Sequence, residues 1–244
     1  MPIRQESKCR RVVLKISGEA LGTPGQVGLE GEAIDRLAAS IVDAAGTGVE
    51  IAVVVGGGNL LRGNAIARTT PVQEATGHYM GMLATVINGL ALQDTIEAKG
   101  VPTRVMSAIN IAEVCEPYIR RRCIRHLEKK RVVVLVGGTG NPFVTTDTCA
   151  ALRALEIGGN ALLKATKVDG VYTEDPQKNP AAKRYDRLTY DQALDQRLGI
   201  MDISAFDLCR QKRIPIVVFN AFAQHALLRA VRGEPVGTLI CDQA

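Results

Sequence analysis

The chain has 244 residues, of which 46% are hydrophobic and 23% charged, and its formal net charge is +5. This length suits one large domain or two small lobes with a sizeable core. The sequence has no Trp and only 4% aromatic residues, which argues against a surface on which the bases of single-stranded nucleic acid stack. No apolar run approaches the roughly 20 residues of a membrane span. We therefore expect neither a nucleic-acid nor a membrane partner, and the mildly basic charge fits a small anionic substrate.

The six cysteines are scattered along the chain and form no C-x-x-C pair. Scattered cysteines favour free, buried thiols in a reducing compartment over a disulfide framework or a zinc site. Residues 1–11 are polar and lack the apolar core of a signal peptide. The sequence therefore predicts a cytoplasmic protein.

Strand and helix patterns alternate along the chain. Residues 12–16 and 51–55 are apolar, β-branched runs typical of buried parallel strands, and apolar residues recur at helical spacing over 34–45. The alternation continues with strands predicted at 131–136, 161–163 and 216–219 and helices at 147–157 and 224–232. This order predicts an α/β protein with a mostly parallel central sheet between helical layers.

The helix predicted at about 79–97 is unusual because its first part has apolar residues on almost every side. A helix of this kind is buried all round. It is therefore either a central core helix or a helix at a subunit interface. We favour the interface, since a chain of this size has a limited core in which to bury it.

Three glycine-rich turns each follow an apolar strand, at residues 17–18, 56–58 and 137–141. Glycine lets backbone N–H groups approach phosphate oxygens without a side chain in the way. A helix that starts after such a turn adds to the attraction. The sequence contains neither G-x-x-x-x-G-K-[ST] nor G-x-G-x-x-G, so this is not a P-loop protein. The three turns predict one anionic ligand site.

Three cationic residues accompany these turns. Lys15 closes the first strand and Lys164 ends a later one, and side chains at the carboxyl ends of parallel strands point into the crevice where ligands bind. Arg62 follows the second turn at a distance that allows its guanidinium to reach phosphate oxygens. Asp147, at a predicted helix start, either caps the helix, orients the lysines or reaches Mg²⁺ through water. Such a set suffices for phosphoryl transfer, which needs in-line geometry and cations more than covalent chemistry.

Residues 139–147 combine several hydroxyl groups with one amide and one carboxylate. Pro142 restricts the turn in this segment. The hydroxyl groups can grip a ribose, a phosphate or the edge of a pyrimidine, and the sequence leaves these alternatives open.

Taken in order, these motifs resemble those of the bacterial UMP kinases, members of the amino acid kinase superfamily. The resemblance covers about residues 10–240, and the order and length of the motifs separate this family from acetylglutamate kinases and aspartokinases. The matching segments are KISGEAL at 15–21, GGGN at 56–59, RG at 62–63, MGMLAT at 80–85, TGNPFVTTD at 139–147, KATKVDG at 164–170 and MD at 201–202.

The resemblance implies a single amino acid kinase domain over residues 1–244, folded as a three-layer α/β/α sandwich. About residues 10–158 would bind UMP and form the dimer, and about residues 159–244 would bind ATP. The implied activity is transfer of the γ-phosphoryl group of ATP to UMP, giving UDP and ADP in pyrimidine biosynthesis, with Mg²⁺ as cofactor. The family is hexameric and built from dimers, and many members respond to GTP and UTP. Residues 23–28 and Arg104 fall where such effects are carried.

The resemblance also assigns site residues, position by position. The implied catalytic residues are Lys15, Arg62, Asp147 and Lys164. The implied ATP contacts are Lys15, Ser17, Gly18, Gly58, Arg62, Thr166, Tyr172 and Asp175. The implied UMP contacts are Gly57, His78, Thr139, Gly140, Asn141, Pro142, Phe143, Thr145 and Thr146.

Two positions depart from the usual family pattern, and each lacks a carboxylate. His78 stands where the family usually has an Asp that contacts UMP, and a neutral imidazole can still accept a hydrogen bond from a hydroxyl. Gly159-Asn160 stands where the family usually has Ala-Asp, and we expect this change to affect how Mg²⁺ or a lysine is held. The missing carboxylates motivate an alternative, a nucleotide-sensing or storage protein of the same fold. A third reading is a kinase that forms an acyl phosphate, with acetylglutamate or carbamate as acceptor.

Overall fold

A computed structural model describes residues 9–61, 66, 68–176, 178–196 and 198–242. Its strands, in chain order, are β1 (Arg11–Ile16), β2 (Glu50–Val55), β3 (Thr103–Ser107), β4 (Glu116–Pro117), β5 (Val132–Val136), β6 (Ala161–Thr166), β7 (Arg187–Thr189), β8 (Ile216–Asn220) and β9 (Thr238–Cys241). They form one sheet in the order β4-β3-β5-β2-β1-β6-β8-β9-β7. Only the β8–β9 pairing is antiparallel among these strands, which confirms the predicted, mostly parallel sheet.

Helices cover both faces of the sheet. They are α1 (Gly31–Ala45), α2 (Glu74–Ala98), α3 (Arg120–Glu128), α4 (Thr146–Ile157), α5 (Tyr190–Asp195), α6 (Ile203–Lys212) and α7 (Ala226–Arg232), with a 3₁₀ helix at Gly18–Leu21. Helices α1, α2 and α7 pack on one face, and α3 to α6 pack on the other. The predicted three-layer α/β/α sandwich is confirmed. Within the described ranges, no helix combines the length and the apolar character that crossing a bilayer requires.

The central strands are apolar throughout because both of their faces are covered. Every residue of β2 is buried, with Val53 in the core beneath α1 and α2 and its neighbour Val54 in the core on the opposite face. Successive side chains of a strand point to opposite faces, so a strand between two helical layers needs a continuous apolar run. The strands predicted at 12–16, 51–55, 131–136, 161–163 and 216–219 are all present. The sequence did not predict β3, β4, β7 and β9, which are short or mix polar with apolar residues.

Helix α4 begins and ends at residues that suit a helix boundary. The Thr145 hydroxyl accepts a hydrogen bond from the Thr148 N–H at the amino end, which selects Thr145 from the two predicted caps. Gly158 ends the helix in the left-handed conformation, with φ of 67°. The helix predicted at 224–232 begins later, at Ala226, because the turn before it includes His225 at a φ of 56°.

Helix α2 buries one face and exposes another that is also apolar. The exposed side chains of Tyr79, Leu83 and Ile87 are four residues apart, which places them on one side of the helix. The opposite side packs Leu92 and Ile96 into the core. Burial on every side within one chain is therefore wrong, and the subunit interface stays a prediction.

None of the six cysteines takes part in a disulfide bond. Four of them, Cys115, Cys123, Cys149 and Cys209, are buried. Burial raises the pKa of the Cys123 thiol to about 12 and that of Cys149 to about 11. Thiols with such pKa values are unreactive near neutrality, which fits a structural role in the core.

Candidate active site

The three glycine-rich turns lie side by side at one edge of the sheet. Strands β5, β2, β1 and β6 are consecutive neighbours and run parallel, so their carboxyl ends meet at the same edge. The turns at 137–141, 56–58 and 17–18 follow β5, β2 and β1 at this edge. Crevices at the carboxyl ends of parallel strands are where open α/β sheets bind ligands. The predicted convergence of the turns is confirmed.

At the centre of this edge, one carboxylate joins two lysines. Lys15 of β1 and Lys164 of β6 are direct neighbours in the strand register, so their side chains leave the sheet on the same face. The first turn of α4 covers that face and carries Asp147. Lys15 Nζ lies 2.8 Å from Asp147 Oδ1, and Lys164 Nζ lies 2.7 Å from Oδ2. All three side chains are largely buried.

The two ammonium groups outnumber the one carboxylate between them. Burial, with a smaller contribution from Lys15, lowers the pKa of Lys164, and Asp147 only partly offsets this. Lys164 Nζ also donates to the carbonyl of Ile200. By formal charge, these three side chains carry one positive charge in excess in a poorly solvated place, and Asp202 adds a negative charge near Lys164. An anionic ligand gains most from a positive charge where water is scarce.

Two of the glycines are needed because protein segments touch each other. A Cβ on Gly18 would lie 2.6 Å from Asn59 Oδ1 and 2.7 Å from the carbonyl oxygen of Gly56. A Cβ on Gly57 would lie 2.7 Å from the carbonyl oxygen of Gly81 in α2. Gly58, by contrast, has open space where a Cβ would be. Close packing within the protein is therefore sufficient to require glycine at positions 18 and 57.

The turn after β5 contains several residues with positive φ. Gly137, Gly138 and Gly140 have φ of 72°, 57° and 82°, and Phe143 has φ of 66°. The Gly137 N–H donates to the Thr85 hydroxyl at 2.7 Å, which ties the turn to α2. Phe143 is largely exposed in a conformation that costs a non-glycine residue about 1–3 kcal/mol. Strain of this kind concentrates at functional sites.

His78 and Phe143 meet although 65 positions separate them in the chain. Their ring centroids are 4.8 Å apart at an interplanar angle of 58°. His78 lies in the first turns of α2, and its Nε2 is 3.8 Å from Glu74 Oε1. That nitrogen is buried and has no hydrogen-bond partner within the described part of the chain. The two rings thus bring together the start of α2 and the turn after β5, two segments that carry predicted UMP contacts.

Asp202 links α4 to α6 and was not among the predicted site residues. It accepts hydrogen bonds from the hydroxyls of Thr145 and, at 2.7 Å, Thr148, and from the Ala205 N–H at 2.8 Å. Burial raises the pKa of Asp202, but these hydrogen bonds outweigh it and lower that pKa. The Thr145 hydroxyl is thus engaged within the protein. An Asp directly before a helix is the N-cap signal that could have identified this residue.

Three of the predicted ATP contacts lie at and beyond the carboxyl end of β6. Thr166 ends this strand, and Tyr172 and Asp175 belong to the loop that follows. In the same loop, Lys167 Nζ contacts Glu19 Oε2 at 2.7 Å. Because Glu19 belongs to the 3₁₀ helix after β1, this ion pair joins the segments that follow β1 and β6.

Asn160 lies at the opposite end of β6 from Lys164. Its Oδ1 accepts hydrogen bonds from the N–H groups of Arg10 and Arg11, at 3.2 and 2.9 Å. These contacts align the amino ends of β1 and β6. The expectation that Asn160 affects how a lysine or Mg²⁺ is held is therefore wrong, because the length of the strand separates it from the lysines.

Two further residues were predicted to be functional, Arg62 and Arg104. Arg62 lies outside the described residues. Arg104, the predicted effector residue, is in the amino half of β3, where its guanidinium contacts Glu97 Oε1 at 3.0 Å. Of the other predicted effector segment, 23–28, residues 23–27 line a cavity of about 460 Å³ together with Gly58 and Lys167.

A magnesium site built from protein carboxylates does not form here. Among the described residues, no group of three or more His, Cys, Asp or Glu side chains is placed to hold a metal ion. Both oxygens of Asp147 contact lysines. Mg²⁺ usually keeps several waters and binds one or two carboxylates together with substrate phosphates, so the residues present do not fit a resident metal.

The sequence profile of the amino acid kinase family matches residues 10–220 of this chain. Among characterised relatives, the uridylate kinase of Methylococcus capsulatus is 55% identical over 231 residues, which cover 95% of this chain and 96% of that protein. The uridylate kinase of Xanthomonas oryzae pv. oryzae is 52% identical over 235 residues, covering 96% and 98%.

Solved structures agree with the sequence comparison. The crystal structure of UMP kinase from Bacillus anthracis superposes with a TM-score of 0.94 at 37% identity, covering 98% of each chain. UMP kinase from Ureaplasma parvum gives a TM-score of 0.89 at 34% identity, covering 96% of this chain and 99% of that one. The chain therefore has the same overall fold as these two UMP kinase structures. The chain belongs to the amino acid kinase family, among the uridylate kinases.

Proposed function

We propose that this protein transfers the γ-phosphoryl group of ATP to UMP, giving UDP and ADP. The observation that carries the proposal is the cluster of Lys15, Asp147 and Lys164 at the edge where the three glycine turns meet. The similarity to uridylate kinases over nearly the whole chain supports the choice of acceptor.

Phosphoryl transfer requires the protein mainly to position the two nucleotides and to supply positive charge. A phosphate oxygen of UMP forms a bond to the γ-phosphorus while the bond from that phosphorus to the β,γ-bridging oxygen breaks. The electron pair leaves with ADP. The attacking oxygen is already anionic, so no general base is needed. Lys15 and Lys164 stabilise the charge on the transferred group, and preorganised donors of this kind contribute about 10²–10³ in rate.

The sheet order supports binding of the two nucleotides on opposite sides of β1, because β2 and β5 lie on one side of it and β6 on the other. The predicted UMP contacts, namely Gly57, His78 and residues 139–146, follow β2 and β5 or start α2. The predicted ATP contacts whose positions are described follow β1, β2 or β6: Ser17, Gly18, Gly58, Thr166, Tyr172 and Asp175. The resemblance also implies Arg62, which lies outside the described residues. We assign UMP to about residues 10–158 and the bulk of ATP to about residues 159–244, with the ATP phosphates at the turns after β1 and β2, beside the lysines. We assign one UMP hydroxyl to His78 Nε2, which is buried and has no hydrogen-bond partner among the residues that the structure describes.

Magnesium in this proposal comes with the nucleotide. Mg²⁺ bound to the ATP phosphates would neutralise part of their charge. The protein's own contribution is the pair of ammonium groups, which Asp147 keeps oriented. Asp147 keeps its contacts with both lysines and does not bind the metal.

The family resemblance and the exposed apolar face of α2 support proposals about assembly and regulation. The apolar face of Tyr79, Leu83 and Ile87 suits a contact with a second copy of the chain, and the family resemblance extends the dimer to a hexamer. On the same resemblance, we propose that GTP or UTP acts at Arg104 and residues 23–28. Cysteines without disulfide bonds and the nucleotide substrates fit a cytoplasmic enzyme of pyrimidine biosynthesis.

One assay tests the activity and its rivals. ADP release from ATP is measured by enzyme coupling with UMP, CMP or N-acetylglutamate as acceptor. Turnover with UMP well above that with the other two is expected. Binding of UMP without ADP release would instead indicate a nucleotide sensor or store. Turnover with N-acetylglutamate would indicate a kinase that forms an acyl phosphate.

A further inference from the structure

Two buried asparagine side chains pair with each other beside the second glycine turn. Asn59 directly follows this turn and Asn88 lies in the middle of α2, and they are 4% and 0% exposed. Asn88 Nδ2 donates to Asn59 Oδ1 at 2.7 Å, and Asn59 Nδ2 donates to Asn88 Oδ1 at 3.1 Å. The two amides thus form a reciprocal pair away from solvent.

The remaining hydrogens of both amides bond to main-chain carbonyls of glycines. Asn88 Nδ2 donates to the carbonyl of Gly56 at 2.7 Å, and Asn59 Nδ2 donates to that of Gly28 at 2.9 Å. A primary amide has two hydrogens, so every donor of the pair is used. These carbonyls also fix the orientation of both amides, because an amide oxygen would repel a carbonyl oxygen at such distances.

The pair lies where three backbone segments meet. The Gly28 N–H donates to the Asn59 carbonyl at 2.9 Å, which holds the loop at 22–28 against the turn. Asn59 Oδ1 also lies directly beneath Gly18, whose missing Cβ would be 2.6 Å away. A shift of either amide therefore displaces the turns after β1 and β2 together.

We propose that Asn59 and Asn88 are positioning residues for phosphoryl transfer. They fix the turn at 56–58 against Gly18 and α2 while touching neither nucleotide. Burying two amides is unfavourable unless all their hydrogen bonds are made, and a fully satisfied polar network makes its surroundings rigid and specific. This inference rests on the proposed function, since it concerns the accuracy of the same site.

The expected consequence is a loss of rate rather than of binding. A Cβ on Gly58 would meet no atom within 4 Å, so the backbone of Gly58 is positioned by the packing of the neighbouring residues. A displacement of about 1 Å in a reacting group can cost about 10² in rate. Binding of each nucleotide draws on many other contacts, so the KM values depend less on this turn.

The first test measures kcat and both KM values for Asn59→Ala, Asn88→Ala and the double variant, well below each Tm. We expect kcat to fall about 10- to 100-fold, with KM for UMP and for ATP within about threefold of wild type. The double variant should be no slower than the slower single variant, because the pair acts as one unit.

The second test uses Asn88→Asp, which preserves the side-chain shape but not the donors. Only the protonated carboxyl group can donate to the Gly56 carbonyl, and burial raises the pKa of such a group. Within the described residues, the hydrogen-bond partners of the pair are amides and carbonyls, none of which titrates. The ratio of the variant's kcat to that of wild type should therefore rise as the pH is lowered from about 8 to about 6. This variant carries the test if Asn88→Ala does not fold.

Gln93→Ala is the matched control. Gln93 lies on the same helix, but its Oε1 accepts from the Val105 N–H at 3.0 Å, toward β3 and away from the glycine turns. The Gln93→Ala variant should have a lower Tm than wild type and an unchanged kcat. Folded alanine variants of Asn59 and Asn88 with wild-type kcat, or a pH-independent ratio for Asn88→Asp, would overturn the inference. Lack of UMP phosphorylation by the wild type would instead overturn the proposed function.

Discussion

Lys15 and Lys164 lie opposite each other on adjacent parallel strands, and each reaches a different oxygen of the Asp147 carboxylate. The two ammonium groups repel each other, and the carboxylate between them offsets this repulsion. An entering polyphosphate meets donors that are already oriented, so little reorganisation accompanies the reaction. Substitution of Lys15 or Asp147 therefore tests how much each side chain contributes to the rate of phosphoryl transfer.

Replacing Lys15 should lower the rate of the chemical step. We expect Lys15→Ala to reduce kcat by about 10²–10³ with a smaller change in either KM, because contacts to the moving group form mainly in the transition state. Steady-state kinetics with UMP and ATP check this. Lys99→Ala is the control, since Lys99 forms an ion pair with Asp35 away from the sheet edge. An effect of Lys15→Ala confined to KM would contradict the assigned role.

Removing the shared carboxylate should move the alkaline limit of activity. Burial already lowers the pKa of Lys164, and Asp147 opposes that shift. In Asp147→Asn the pKa of Lys164 falls further, so the variant loses its charged lysine at a lower pH than wild type does. Profiles of kcat between about pH 6 and pH 10 check the displacement. Coincident alkaline limbs would show that Asp147 does not keep Lys164 charged.

Asp202 should stabilise the fold in a pH-dependent way. Its pKa lies below the ordinary value of 3.8, so its contribution is present above about pH 4 and is lost as the pH falls through the lower folded-state pKa. Asp202→Asn keeps a helix cap but loses the charge, and we expect about 1 kcal/mol of lost stability at pH 7. Urea unfolding at pH 7 and at about pH 3.5 checks this. The same difference at both pH values would rule out an ionic contribution.

His78 should affect UMP alone. Losing one hydrogen bond to a substrate hydroxyl costs about 0.5–1.5 kcal/mol, so His78→Ala should raise KM for UMP by about 2- to 12-fold. KM for ATP serves as the internal control and should not change. Equal increases in both KM values would indicate a general disturbance of the start of α2.

A charge on the apolar face of α2 should prevent assembly. Leu83 is 48% exposed in the single chain, and Leu83→Glu would place a carboxylate in the proposed interface between copies. We expect sedimentation to show a smaller species than wild type. Phe222→Glu changes another exposed apolar residue, after β8, and should leave the assembly unchanged. A wild-type protein that sediments as a single chain would remove the interface proposal.

The sequence by itself determined the buried strands and the chemistry at their ends. Runs such as 51–55 predict a parallel strand because a strand covered on both faces needs apolar residues throughout. Lys15 and the glycine turns were recognisable because strand ends and turns leave local signals. The helix after β5 was predicted within one residue of its observed start, Thr146, from the hydroxyl residues before it.

The tertiary structure alone decided which of these groups meet. Asp147 contacts both lysines only because β1 and β6 pair in one register while α4 begins above them. The sheet places Asn160 at the end of β6 away from the lysines. The packing of α2 on the sheet brings Asn88 to Asn59. It also left one apolar face of α2 uncovered. Such contacts join residues far apart in the chain, and sheet order and helix packing set them, whereas a sequence pattern reports only what neighbouring residues favour.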